Sequence, residues 1–227
     1  MTALLKSLPN AAEYLEAERE ADFKSEYYQG HIYPLYGGDP VRGTSGATVD
    51  HNRIAGNLLR EIGTQLKSRP CEAFGSDMKV RVDPDDCFFY PDISGLCGPM
   101  DFHDGKKDVY LNPAFIIEVL SDSTESFDRR KKFLSYRKIA SLREYILVSQ
   151  KSETVEIFRK EGELWNSEVV HEGALILDSV SCGIPFDEIY RNVSFDEGPR
   201  CQNGYHSTFT PRIALKPGSF WPDPWRR

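Results

Sequence analysis

The spacing of apolar positions along this chain changes several times, and each change marks an expected element. Tyr14, Leu15, Ala17 and Ala21 follow Asn10 and Glu13, a capping-box pair, which predicts a short amphipathic helix. Residues 24–28 and 31–36 are extended, tyrosine-rich runs about Gln29-Gly30, the pattern of a β-hairpin. Residues 37–50 form a Gly/Thr/Ser loop without the Gly-Lys-Ser/Thr ending of a nucleotide-binding loop, and they read as a mobile connection. Behind it, Ile54, Leu58, Ile62 and Leu66 recur every four residues, so a helix capped by Asp50 should turn one stripe to a core.

Strands are expected through the centre. Residues 78–82 alternate, Asp83-Pro84-Asp85-Asp86 turns, and residues 87–93 return as one strand; residues 98–112 are polar and irregular. Residues 114–120 are apolar on both faces except for Glu118, as in a strand near the middle of a sheet covered by helices. A helix over 124–139 and a buried strand over 144–149 then predict a right-handed crossover to a parallel neighbour. Residues 153–158 and 163–170 read as a closing hairpin, with 175–180 and 184–193 after it.

Composition narrows the functional classes. With 227 residues, 40% hydrophobic and 28% charged, the chain suits one soluble domain over 10–197, between a leader over 1–9 and an extended tail over 198–227. No run approaches a membrane span and the start lacks a secretory pattern, so a cytoplasmic protein without membrane contact is expected. A net charge of −7, from 28 basic and 35 acidic residues, excludes a generic basic coat for nucleic acid but not a local patch. The tail carries five Lys/Arg against one Asp, a net +4 that leaves −11 for the rest, and it includes Phe220, Trp221 and Trp225. Five cysteines without a CxxC pair argue against a disulfide framework or a zinc knuckle and for a reducing compartment. Cys97 is a candidate nucleophile with no base at readable spacing; its alternative is a buried structural thiol.

The candidate chemistry centres on Glu118. A lone carboxylate inside an apolar strand costs several kcal/mol unless a cation or strong donors compensate it, so either a buried salt bridge or a metal is expected. Asp92 lies 26 residues earlier at the end of the preceding hairpin, and adjacent strands would bring the two carboxylates together, where a divalent ion relieves their repulsion. Asp128, Lys132 and Tyr136 share one face of the following helix. Asp128 and Lys132 form either a routine helix ion pair or a group aimed back at the strand. Arg129, Arg130 and Lys131 supply a basic cluster that is either a solvated face or a contact for a polyanion. His51 opens its helix as a local hydrogen-bonding residue or as a base or ligand, and Ser121 either starts a turn or bonds near the site.

These residues carry a resemblance. Tyr14-Leu15, Glu26-Tyr27-Tyr28-Gln29-Gly30, the His51 helix, Ser76-Asp77-Met78-Lys79-Val80, Tyr90-Pro91-Asp92, Ile117-Glu118-Val119-Leu120-Ser121, Asp128 to Tyr136 and Ser141-Leu142-Arg143-Glu144-Tyr145 together resemble the Uma2 family of endonucleases, within the PD-(D/E)XK nuclease superfamily. The resemblance spans about residues 10–195 and implies an α/β restriction-endonuclease-like core, a mixed central sheet flanked by helices. It implies hydrolysis of phosphodiester bonds in nucleic acid, DNA in the first place, with Mg²⁺ or Mn²⁺ held by Asp92 and Glu118. Glu26 matches an acidic residue placed beside the site from an N-terminal element, where it assists through a water or a second ion. The superfamily lysine would stand at position 120, which is Leu120 here, and Lys132 is the candidate replacement. A homodimer is an expectation for nucleases that cut two strands. The rival readings are a nuclease-like binding module without turnover, and a hydrolase that uses the carboxylate pair without metal on a substrate such as a glycoside.

Overall fold

The computed structural model describes residues 9–35, 47–122 and 124–195, so the leader, most of the 37–50 loop and the tail lie outside the described residues. Helix α1 (Ala11–Arg19) starts with the expected capping box, Asn10 and Glu13 each accepting from the other's backbone N–H. Strands β1 (Ser25–Tyr28) and β2 (His31–Pro34) form the hairpin, and Gln29 and Gly30 take the two positive-φ positions its tight turn requires. Helix α2 (Val49–Leu66) buries Ile54, Leu58, Ile62 and Leu66 as predicted. Its cap is Thr48 rather than Asp50, because the Thr48 hydroxyl is the oxygen that reaches the His51 N–H, at 3.0 Å.

The central strands run as β3 (Cys71–Gly75), β4 (Lys79–Val82), β5 (Cys87–Phe89), β6 (Ile93–Cys97), β7 (Val109–Tyr110), β8 (Phe115–Leu120) and β9 (Glu144–Ser149). The chain then continues through β10 (Val155–Glu161), β11 (Leu164–Val170), β12 (Ala174–Leu177) and β13 (Cys182–Pro185). A six-stranded sheet has the order β11-β10-β9-β8-β6-β3, and a five-stranded one the order β2-β1-β5-β4-β7; β12 and β13 pair separately. The β8–β9 pair is parallel and its neighbours are antiparallel, so the main sheet is mixed.

Two expectations are corrected. The single strand expected over 87–93 is two strands in different sheets, with Tyr90-Pro91-Asp92 between them. Pro91 has no N–H to give to a ladder, and the chain changes sheets there. The helix expected over 124–139 runs as Glu125–Phe127, a π turn at Asp128–Lys132, and Phe133–Tyr136.

Alternation along β8 sorts its side chains. Phe115, Ile117 and Val119 pack with the α2 stripe, whereas Ile116 and Leu120 pack on the other face with Phe89, Tyr136 and Tyr145. Glu118 therefore faces the small sheet and the helix of residues 125–136, within an all-buried strand.

The cysteine reading is also corrected. Cys71 and Cys97 are opposed in the β3–β6 register and form a disulfide, so Cys97 is neither a nucleophile nor a buried thiol; Cys87 and Cys182 are free and buried. The compositional argument for a reducing compartment falls with it. Loop closure over 26 residues stabilises by about 3 kcal/mol. Reduction is expected to lower the melting temperature by roughly 6–12 °C, and a Cys71→Ser/Cys97→Ser protein should melt at that lower temperature with or without reductant.

Candidate active site

Asp92 and Glu118 are tied to each other through the backbone. The Asp92 N–H donates to Glu118 Oε2 at 3.3 Å, and the Val119 N–H donates to Asp92 Oδ2 at 2.8 Å. The strand break after β5 makes this possible, since it frees Asp92 to turn its carboxylate to β8.

Lys132 does not point to solvent. The π turn carries it inward, where its Nζ lies 3.0 Å from Glu26 Oε1, 3.2 Å from Glu118 Oε1 and 3.5 Å from Asp128 Oδ1. Leu120, two residues after Glu118, is packed in the core on the same face. The ammonium absent at position 120 is thus delivered to the same glutamate from the neighbouring helix. Glu26 reaches the site from β1 and accepts from the Tyr90 N–H at 3.0 Å. The Tyr136 hydroxyl donates to Glu118 Oε1 at 3.3 Å, and Tyr145 donates to the Asp128 carbonyl at 3.0 Å.

Burial is uneven across the cluster. The side chains of Glu26, Glu118, Asp128 and Lys132 are 3–7% exposed, while Asp92 and His51 are 19% and 14% exposed. The site is therefore open on the Asp92–His51 side. His51 Nε2 lies 3.2 Å from Asp92 Oδ2. Gln150, which no sequence signal singles out, donates to the Leu120 carbonyl at 2.8 Å and accepts from the Thr48 hydroxyl at 2.5 Å. It ties the start of α2 to the end of β8 and so sets His51 beside Asp92.

Three carboxylates face one ammonium, with that of Asp92 beside them, and the electrostatics follow. Burial pushes Glu26 up, Glu118 well up and Asp128 up, with Lys132 only partly offsetting it. Burial opposes the Lys132 charge, but Glu118, Glu26 and Asp128 reverse this and hold it well above the usual lysine range. For His51, burial acts downward and the Asp92 hydrogen bond and charge act upward more strongly. A carboxylate raised on folding contributes stability that is complete below its unfolded pKa of about 4.3 and lost as pH rises through the folded value. His51 adds a loss of the same sign above about 6.5. The metal-free protein is thus expected to lose thermal stability as pH rises from 5 to 8, and Glu118→Gln should flatten that slope; a melting series across the range checks it.

The donor set fits a divalent ion. Carboxylate oxygens are the ligands hard cations take, and an excess of buried carboxylates is what such a cation relieves. Among the described residues no three His, Cys, Asp or Glu side chains already form a ligand cage. Asp92 and Glu118 would be two protein ligands, with water and substrate oxygens completing the shell, as is usual for Mg²⁺.

The basic cluster divides. Arg129 is held between Glu125 and Glu156, so its guanidinium is committed internally. Arg130 is exposed and Lys131 lies over the rings of Tyr28 and Phe127. Ser121 organises the turn after β8, its hydroxyl 2.9 Å from that of Thr124.

A family model described as "Uma2: Putative restriction endonuclease" matches residues 11–184. The chain belongs to the Uma2 family. Its relatives include two Synechocystis sp. proteins named uncharacterized protein sll1609 and uncharacterized protein slr1290. The first is 36% identical over 72% of this chain and 87% of its own length, the second 31% identical over 81% and 92%. A crystal structure from Anabaena variabilis, titled as a putative nuclease belonging to DUF820, superposes with a TM-score of 0.63 at 19% identity, covering 80% of this chain and 97% of that one. This Uma2 chain has the mixed α/β fold of that neighbour. No helix among the described residues is long and apolar enough to cross a membrane.

Proposed function

We propose that this Uma2 chain is a divalent-metal-dependent phosphodiester hydrolase, a DNA endonuclease, with Asp92 and Glu118 as ligands of Mg²⁺ or Mn²⁺. The observation that carries this reading is the convergence of Glu26, Glu118 and Asp128 on the single ammonium of Lys132, with Asp92 tied to Glu118 beside them. For structure alone such an excess of buried like charge is costly. The family description supports the reaction class, and the DUF820 neighbour, titled a putative nuclease, shares the fold.

When bound, such an ion supplies neutralisation of phosphate charge and a lowered pKa for a water molecule. The chain's own residues supply the rest. Asp92, at the open side, presents its carboxylate where a substrate can approach, and His51 holds that carboxylate in place. Tyr136, kept protonated by burial, donates to Glu118 and fixes its orientation. Lys132 brings the positive charge that stabilises a developing phosphate oxyanion, and Glu26 and Asp128 anchor it.

The test is cleavage of supercoiled plasmid and of single-stranded circular DNA with Mg²⁺ or Mn²⁺. Nicking or linearisation that EDTA stops supports the reading. Cleavage that persists in EDTA overturns the metal mechanism, and binding without any cleavage points to the silent module.

A further inference from the structure

Four consecutive basic residues, 129 to 132, have two different fates. Arg129 and Lys132 are ion-paired with acids of the fold, whereas Arg130 and Lys131 form no ion pair among the described residues. Lys131 lies 5.9 Å from the centroid of the Tyr28 ring and 6.0 Å from that of Phe127. Phe127 packs edge-on to Tyr28 at 5.8 Å and against Tyr33 at 6.1 Å, and the ring of exposed His31 lies 6.3 Å from Tyr33. Among the described residues β2 is the edge strand of its sheet, so His31 and Tyr33 stand at that edge, while Tyr28 and Phe127 are half-buried and lean on the ring of Phe89.

The group adjoins the carboxylate cluster through the chain itself. Tyr28 is two residues from Glu26 on the same face of β1. Phe127 and Lys131 immediately precede Asp128 and Lys132, which the π turn sends inward. The same turn therefore faces the catalytic cluster with one set of residues and the hairpin rings with the next.

We propose that Tyr28, His31, Tyr33 and Phe127, with Lys131 and Arg130, form a stacking platform for unpaired nucleotides beside the site, so that the substrate class is single-stranded or locally unpaired nucleic acid rather than intact duplex. The functional meaning of the platform rests on the nuclease reading above. Charge supports the choice of strand. Tight duplex binding draws on many phosphate contacts, and in an acidic chain two uncommitted cations here supply few. Rings interleaved with cations suit a single strand, where each base offers a π face and the backbone needs only local neutralisation.

The experiment separates the platform from the chemistry by measuring binding in EDTA. A short single-stranded DNA carrying 2-aminopurine is titrated with the full-length protein, and quenching of the base reports stacking. The wild type is expected to quench it and to bind it more tightly than the matched duplex. Tyr33→Leu, which keeps an apolar side chain, and Lys131→Gln should each weaken binding about tenfold with unchanged melting temperature. Should Tyr33→Leu fold poorly, the surface variant Lys131→Gln decides. Equal binding of single strand and duplex, absent quenching, or variants indistinguishable from wild type overturns the platform. Binding and quenching without cleavage in Mg²⁺ or Mn²⁺ keeps the platform and removes the nuclease; cleavage without quenching does the reverse.

Discussion

Glu118→Gln is expected to remove cleavage activity by at least about 10³-fold while making the metal-free protein more stable at neutral pH. The two effects have one cause. Glu118 sits in an apolar strand where burial pushes its carboxyl well up, and Asp128, Asp92 and Glu26 add repulsion that Lys132 only partly offsets. The amide removes this charge, keeps nearly the same volume and can still bond Tyr136, so a gain on the order of 1 kcal/mol is expected, as at other sites where function is held against stability. Plasmid cleavage and denaturant titration of the same two proteins check both halves. An inactive variant that is also much less stable would make Glu118 a structural anchor instead.

Lys132→Met should have the opposite effect on stability. It removes the ammonium shared by Glu26, Glu118 and Asp128 and leaves three buried carboxylates facing an apolar side chain. Breaking one partner out of a buried ion cluster costs about 3–5 kcal/mol. The deficit is pH-dependent with a definite sign. Without the lysine the carboxylates are held at still higher folded values, so stability is lost as pH rises through them and recovered in acid. Denaturant titrations at pH 8 and pH 5.5 should show a larger deficit at pH 8. A deficit that is the same at both, or smaller at pH 8, contradicts the cluster account.

Much of the fold was legible because it depends on period. The α2 stripe, the hairpin about Gln29-Gly30 and the alternation that isolates Glu118 on β8 all follow from which positions are apolar. Features set by contacts distant in sequence were not legible. The opposition of Cys71 and Cys97 exists only once β3 lies beside β6, and the sheet change at Pro91 needs the partners of both halves. The inward turn of Lys132 depends on a π turn that four-residue spacing does not announce.

Glu144 shows how far the buried-glutamate signal reaches. It too is buried, at the start of an apolar strand, yet its carboxylate accepts from the N–H groups of Asp178 and Ser179 and pairs with Arg159. Both glutamates accept from donors, but Glu118 shares its cation with Glu26 and Asp128 and has their charge and that of Asp92 beside it. Sequence raises the same question at both positions, and the partners answer it differently.

The most direct test of the account is Mn²⁺ binding, read by electron paramagnetic resonance as loss of the free-ion signal, in wild type, Asp92→Asn and Glu118→Gln. One bound ion per chain in the wild type, with binding lost in both variants, is the predicted result. Equal binding by all three proteins, or none by the wild type, would contradict a metal site built on Asp92 and Glu118.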